Sequence, residues 1–365
     1  MKLYLYFARR FAVTLLSLLA IFIILTALLE MIEALRRFDS AQIGFLEILK
    51  LTFLKVPSSL YEILPLVVIL STLLLFLNLA KTSELVVARA AGRSALRSLV
   101  SPILVALLMG ILTVAVLNPV VATTIRQYDL SAQRHLKGQS SILSISREGL
   151  WLRQGSETGQ TVIRATRANF NGTTLFDVTF LGFDRDSVAT FRIEAESATL
   201  TAGAWVARNA KQWRFDAGGN AELKSKRAPL LNIETNLTPE QILDSFGPPI
   251  SVPIWQLPEF IERLDHAGFS SRRHRVWLQT ELALPVLMVT MVMIGAGFTM
   301  RHTRFGRTGI MVLLALGMGF SIFFIRNFAA ILGENGQLPI LLAAWAPPAA
   351  GILMATGLLL HMEDG

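Results

Sequence analysis

Three long apolar segments, a polar stretch of about residues 126–275, and three more apolar segments make up this chain, and that 3+3 pattern constrains its fold more than any motif does. A helix needs about 20 apolar residues to cross the hydrocarbon core of a bilayer. Six segments meet that length: 11–29, 60–80, 99–121, 276–300, 310–332 and 338–360. Between the third and the fourth the texture changes. Runs such as Gly149-Leu150-Trp151-Leu152, Gln160-Thr161-Val162-Ile163 and Thr174-Leu175-Phe176-Asp177-Val178-Thr179-Phe180 alternate apolar with polar residues and stop at Gly, Asn or Asp. That is the period of half-buried strands. The expected fold class is membrane α-helical, six transmembrane helices arranged 3+3 with an inserted β domain. Residues 1–125 form one membrane half, 126–270 the β domain and 271–365 the second half.

Composition narrows the partners. Only 16% of the residues are charged, against about a quarter in soluble domains. The net charge of +8 gathers at the ends of the apolar segments, which fits anionic lipid and topology rather than nucleic acid. With no cysteine, the β domain has no disulfides and must bury enough apolar surface unaided. The first apolar run is too long for a signal peptide and lacks a small-residue cleavage site. Pro65, Pro102, Pro285, Pro347 and Pro348 fall inside or near the ends of spans, where neighbouring helices satisfy freed carbonyls. Gly295 with Gly297, and Gly317 with Gly319, offer small surfaces for close helix approach.

Loop charges set an orientation. Lys2, Arg9 and Arg10 precede span one; Lys81, Arg89, Arg93 and Arg97 join spans two and three; Arg301, Arg304 and Arg307 join spans four and five. Lys and Arg concentrate in cytoplasmic loops, so both termini are expected in the cytoplasm and the β domain in the periplasm of a bacterial inner membrane. Arg272, Arg273 and Arg275, where the insert rejoins the membrane, are expected to anchor on anionic headgroups. Within the insert, Thr238-Pro239-Glu240 reads as a helix start with Thr238 as cap and Pro239 at the first helical position. Asn171-Gly172-Thr173 reads as a turn, and 251–268 as a loop and short helix leading back to the membrane.

Catalytic chemistry finds no foothold. No G-x-x-x-x-G-K-[ST] phosphate loop, H-E-x-x-H metal pair or G-x-S-x-G elbow occurs, and no span carries an Asp near its middle. The five histidines are too scattered to share a metal. The expectation is a non-enzyme with no cofactor, no metal and no catalytic residue. The most informative polar segment is 81–94. Glu84 is expected in the first turn of a short helix, Gly92 at its end, and Ser94 as cap of the next. Its mostly apolar and small surface suits either a knob entering a groove on a soluble partner or a helix lying on the lipid interface.

Ser83-Glu84-Leu85-Val86-Val87 followed by Ala90-Ala91-Gly92 resembles the coupling segment of the LptF/LptG permeases of the lipopolysaccharide export system. The likeness extends over the whole chain, and Gly149-Leu150-Trp151 with Asn236-Leu237-Thr238-Pro239 looks more like the G-type than the F-type branch. The resemblance implies a β-jellyroll insert and a permease subunit of an ABC-type transporter that extracts lipopolysaccharide from the inner membrane. Its implied partners are an LptF-type paralogue, a cytoplasmic LptB-type ATPase dimer, a single-span LptC-type subunit and a periplasmic LptA-type jellyroll. Spans one and five would gate against the paralogue, and the insert's apolar interior would hide acyl chains in transit. Glu84 matches the acidic coupling residue, with Ser83, Arg89 and Gly92 in support. A scaffold with a periplasmic recruitment domain, and the F-type paralogue itself, are the alternative readings.

The resemblance also assigns lipopolysaccharide contact to basic residues at the outer end of span one, here Arg36 and Arg37. A guanidinium pair suits phosphate, whereas Glu33 paired with Arg37 at helical spacing would make this ordinary snorkelling. Glu30 stands where relatives often have a basic residue, and a carboxylate there repels phosphate unless it is paired. Arg326 lies in span five, roughly 10 Å along the helix before Gly333. It reads either as a ligand contact or as an ion-pair partner of Glu62 or Glu281.

Overall fold

The computed structural model describes residues 2–38, 44–84, 95–137, 143–146, 149–156, 159–169, 173–184, 188–201, 203–215, 220–235, 237–238, 248–266, 270–300 and 308–363. They divide into two compact units: one of Met1–Lys137, Ile250–Trp255 and Arg272–Gly365, the other of Gly138–Pro249 and Gln256–Ser271.

The first unit is helical. Helix α1 spans Lys2–Arg37, α2 Phe45–Lys81, α3 Ala95–Leu112, α4 Asn118–Lys137, α6 Arg272–Thr299, α7 Thr308–Glu334 and α8 Ile340–Glu363. Six of the described helical runs are long and apolar enough to cross a membrane, α3 and α4 forming one run through a π-helical turn at Thr113–Leu117. The third span therefore continues past the expected residue 121 to Lys137 as a more polar helix. Helices α2 and α6 form the centre, with 61% and 67% of their most apolar windows buried, against 11% for α1 and 17% for α7. Close approach at the centre depends on absent side chains. A Cβ on Gly110 would stand 2.5 Å from the Cα of Pro285 and one on Gly351 2.4 Å from Thr290. Gly295, Gly297 and Gly319 are similarly crowded, but Gly317 has nothing within 4 Å, so its expected packing role is not found.

The second unit is a seven-stranded antiparallel sheet: β1 Leu143–Ser146, β2 Gly149–Ser156, β3 Gly159–Ala168, β4 Thr174–Asp184, β5 Ala189–Thr201, β6 Ala204–Arg214 and β7 Lys226–Glu234. Consecutive hairpins join the strands, each next to its sequence neighbours. One face carries the apolar cluster, with Leu150, Ile163, Leu175, Phe180, Ala198, Trp205 and Ala207 at 0% exposure. Trp205 meets Phe180 edge-on at 6.5 Å. Helix α5, Leu257–His266, adds Leu264 and Phe260 to this cluster.

The alternation of side chains changes phase on one line across the sheet. Buried positions step by three rather than two at Ala165/Ala168, Leu175/Val178, Ala195/Ala198 and Ala207/Ala210. Pairing keeps constant register on both sides of the line, so this is a crease and not a slip. Asp177 and Asn209 lie on it with φ of 52° and 51°, a conformation these two side chains tolerate better than most. Left-handed residues placed level with each other on β4 and β6, either side of β5, bend the sheet locally. Alanine fills most of the inner side of the crease, where larger groups from adjacent strands would collide.

Candidate functional site

Glu84 is fixed by a local turn and by a distant helix. Helix α2 ends at Thr82, whose backbone N–H donates to Asn78 O and whose hydroxyl lies 2.8 Å from Glu84 Oε1. Ser83 then adopts φ +57°, which turns the chain sharply and brings Glu84 back toward α1. There Arg10 Nη1 stands 2.6 Å and 2.7 Å from the two carboxylate oxygens. The Tyr6 hydroxyl donates to Oε2 at 2.8 Å and accepts from Arg10 at 2.6 Å. Burial pushes the Glu84 carboxyl up, but the hydrogen bonds from Arg10, Thr82 and Tyr6 and the Arg10 charge outweigh it and hold Glu84 below the usual carboxylate range. The sequence reading does not single out Tyr6, and it takes Arg10 only as a topology charge before span one. Their spacing of four puts both on one face of α1, but nothing local points 74 residues ahead. Of the expected coupling residues, Ser83 and Glu84 are seen; Arg89 and Gly92 lie outside the described residues, as do Arg301, Arg304 and Arg307 of the loop between spans four and five.

At the opposite end of α1, Arg36 and Arg37 are exposed. Arg37 donates to the Tyr128 hydroxyl at 3.3 Å, and the Lys55 ammonium sits 5.5 Å from the Tyr128 ring centroid. Beneath them Ala34, Phe38, Ile48, Leu51, Ile125 and Tyr128 pack together, so the cations stand on a firm apolar base. Asp129 is close enough to feel both Lys55 and Arg37. No ion pair within 4.0 Å joins Glu33 to Arg37 among the described residues. Glu30 accepts from the Ser59 hydroxyl, so this carboxylate has a partner.

Arg326 donates to Asn327 Oδ1 at 3.2 Å, and no ion pair within 4.0 Å is made to Glu62 or Glu281 among the described residues. Glu281, at 0% exposure, accepts instead from the Tyr61 hydroxyl and from Asn118 Nδ2 at 3.2 Å. Asn118 Oδ1 in turn accepts the Ile254 N–H at 2.9 Å, and the Trp255 indole N–H donates to Ala115 O in the π-turn at 3.1 Å. Pro119 has no N–H to give the Ala115 carbonyl four residues back, and here a side chain takes that carbonyl up. Polar residues deep in two spans seek each other, and Asn118 and Glu281 were the signal in the sequence.

Arg272 corrects the headgroup-anchor expectation. Its guanidinium donates to Gly333 O and Leu338 O, both at 2.6 Å, closing the C-terminal end of α7. Arg273 lies 3.8 Å from Glu334. In the β unit, a cavity of about 750 Å³ lies on the polar side of the crease, beside Asp177, Glu196, Asn209 and Arg227. Of the expected helix start at 238–240, Pro239 and Glu240 lie outside the described residues, as do Asn171 and Gly172 of the expected turn.

The family described as lipopolysaccharide export system permease LptF/LptG matches residues 5–361. The chain belongs to this family. It is 21% identical over 362 residues to the lipopolysaccharide export system permease protein LptG of Escherichia coli K12, covering 98% of this chain and 97% of that protein. It is 23% identical over 348 residues to the protein of the same name in Haemophilus influenzae Rd, with 93% of each covered. A match of this extent leaves neither the helical unit nor the β unit outside the family. With six apolar helices among its described residues, the chain is a multi-pass inner-membrane protein of the lipopolysaccharide export permease family with an inserted antiparallel β domain.

Proposed function

We propose that this chain is the G-type permease subunit of an ATP-driven lipopolysaccharide extractor. It works beside an LptF-type paralogue, with an LptB-type ATPase dimer at the cytoplasmic end, an LptC-type single-span subunit, and an LptA-type jellyroll as acceptor. The observation that carries this reading is the near-complete coverage of two relatives named LptG, helical halves and insert alike. Both termini lie in the cytoplasm and the β domain in the periplasm; the clustering of Lys and Arg between spans two and three and between spans four and five supports that orientation. Residues 1–125 and 271–365 act as the membrane halves and 126–270 as the periplasmic domain.

The chain contributes no bond chemistry. Ser83, Glu84, Arg89 and Gly92 serve the coupling segment, with Glu84 transmitting nucleotide-driven closure. Arg36 and Arg37 take the phosphorylated headgroup, supported by their exposure on an apolar base. Arg326, free of an acidic partner within 4.0 Å among the described residues, faces the same ligand from span five.

The test is reconstitution of the chain, tagged and in nanodiscs, with the proteins that co-purify with it. ATP hydrolysis and transfer of labelled lipopolysaccharide to a periplasmic jellyroll acceptor are followed together. Glu84→Ala should keep the complex in the membrane while uncoupling hydrolysis from release. If no ATPase accompanies the chain, a scaffold role replaces this reading.

A further inference from the structure

Helix α1 is held unevenly. Phe7, Phe11 and Leu15 form a stripe at 0–2% exposure near its start, whereas most larger side chains from Leu16 to Leu29 are exposed. Tyr6 and Arg10 flank that stripe and hold Glu84. A carboxylate has about four acceptor positions, and here Arg10 Nη1 approaches both oxygens, Tyr6 one and Thr82 the other. A partly exposed ion pair adds little to stability. This one joins the turn after α2 to a different element through both carboxylate oxygens, so its value lies in register rather than in fold stability.

We propose that Arg10, aided by Tyr6, is a positioning residue that ties the first span to the coupling segment through Glu84. Displacement of that segment then reaches α1 at once, without passing through the whole length of α2. Helix α1 has 36 residues and, at 1.5 Å per residue, is about 54 Å long. A rod tied to Glu84 at its start, exposed along its middle and packed again through Ala34 and Phe38 at its far end carries a push at Glu84 to the end that holds Arg36 and Arg37. The proposal rests on the reading of 81–94 as the ATPase docking segment.

The experiment uses the reconstituted complex with Arg10→Glu, Glu84→Arg, the double exchange, and Arg10→Lys. Lipid released per ATP hydrolysed and hydrogen exchange of residues 2–15 and 81–84 are measured in each. Arg10→Glu should keep the ATPase bound and hydrolysing but lower release per ATP about tenfold, a usual size for coupling between sites. It should also speed exchange in both segments. The double exchange, which restores opposite charges with the acid on α1, should recover most of both losses, and Arg10→Lys should be intermediate. Normal release per ATP in Arg10→Glu overturns the proposal. So does a double exchange no better than the single, because Glu84 would then act by touching the ATPase itself. Absence of any ATPase from the wild-type complex removes the transport reading instead, and the exchange data still decide whether the tether exists.

Discussion

Replacing Asn118 by alanine tests the buried polar junction among the second, third and fourth spans. The substitution removes the 3.2 Å bond to Glu281 and the 2.9 Å bond from Ile254 N–H together. Ile254 is 5% exposed and Glu281 0%, so neither group regains water. A buried donor left unmade costs about 1–3 kcal/mol, and stripping one of two donors from a buried carboxyl costs about as much again. The expected loss is therefore about 2–6 kcal/mol, read by titrating detergent micelles with SDS and following helix content. Hydrogen exchange supplies a local check, since each 1.4 kcal/mol is about tenfold in the opening equilibrium. The Ile254 amide should exchange at least about tenfold faster. Asn118→Asp keeps an acceptor for Ile254 but sets a second carboxyl beside Glu281, so it should spare the Ile254 amide more than the global stability. A loss for Asn118→Ala below about 0.5 kcal/mol, the range of ordinary surface changes, would refute the reasoning. So would an Ile254 amide as protected as in the parent.

Other outcomes follow from single contacts. Trp205→Ala should cost the β domain about 3–5 kcal/mol, seen as faster exchange in β4–β6 while the membrane helices keep their protection. Gly110→Val should destabilise the helical unit by about 1–3 kcal/mol or more, because the obstacle is the Pro285 backbone and not a side chain that can swing away; an unchanged SDS midpoint contradicts the packing. Glu84 has a folded-state value below its ordinary 4.5, so the stability it adds is complete above 4.5 and lost as pH falls through that lower value. A label pair on cysteines placed at Leu3 and Lys81, in a chain with no cysteine of its own, should therefore hold one distance from about pH 5 to 8 and lengthen only in acid. Lengthening near neutrality would show that another group controls the contact.

The sequence made legible whatever depends on local period. The six spans read from apolar runs, and Gly149–Leu152, Gln160–Ile163 and Thr174–Phe180 fall in β2, β3 and β4. The crease was hidden because alternation alone treats Ala165 and Ala168 as out of phase, and only pairing with neighbours shows that four strands shift together. Arg272 misled through its reach. Three arginines at a span mouth look like lipid anchors, yet one of them closes the end of α7, which is 61 residues away in sequence. Arg326 makes no direct bond to Glu281, which lies at the right depth but bonds to Tyr61 and Asn118, although the two groups remain close enough to feel each other's charge. Tertiary competition for partners has no signature in a single chain's pattern. The π-turn at Thr113–Leu117 does have a mark in the sequence, Pro119, which has no N–H to offer the Ala115 carbonyl four residues back, but that mark fixes neither the turn's type nor Trp255 as the partner.

The β domain's interior raises the sharpest question for the proposed transport. An acyl chain carried there needs apolar space, yet the face on which it would lie is filled by the domain's own side chains and by Leu264, at 1% exposure, with Phe260 of α5 beside it. Helix α5 is amphipathic, with Leu257, Ile261 and Leu264 buried on one stripe and Glu259, Glu262 and Asp265 exposed. A ten-residue helix held by so short a stripe is the part of the cluster that can leave without breaking a strand pair. Truncating Leu264 to alanine should weaken that hold by about 2–5 kcal/mol, which brings partly opened states into reach. In a variant whose other tryptophans are replaced by phenylalanine, Leu264→Ala should make Trp205 accessible to a water-soluble quencher and speed lipopolysaccharide entry into the domain. If Trp205 stays shielded while entry proceeds at the parental rate, α5 is not the cover. The lipid must then travel over the outer, polar face of the sheet, where the crease cavity beside Asp177 and Arg227 is the next surface to probe.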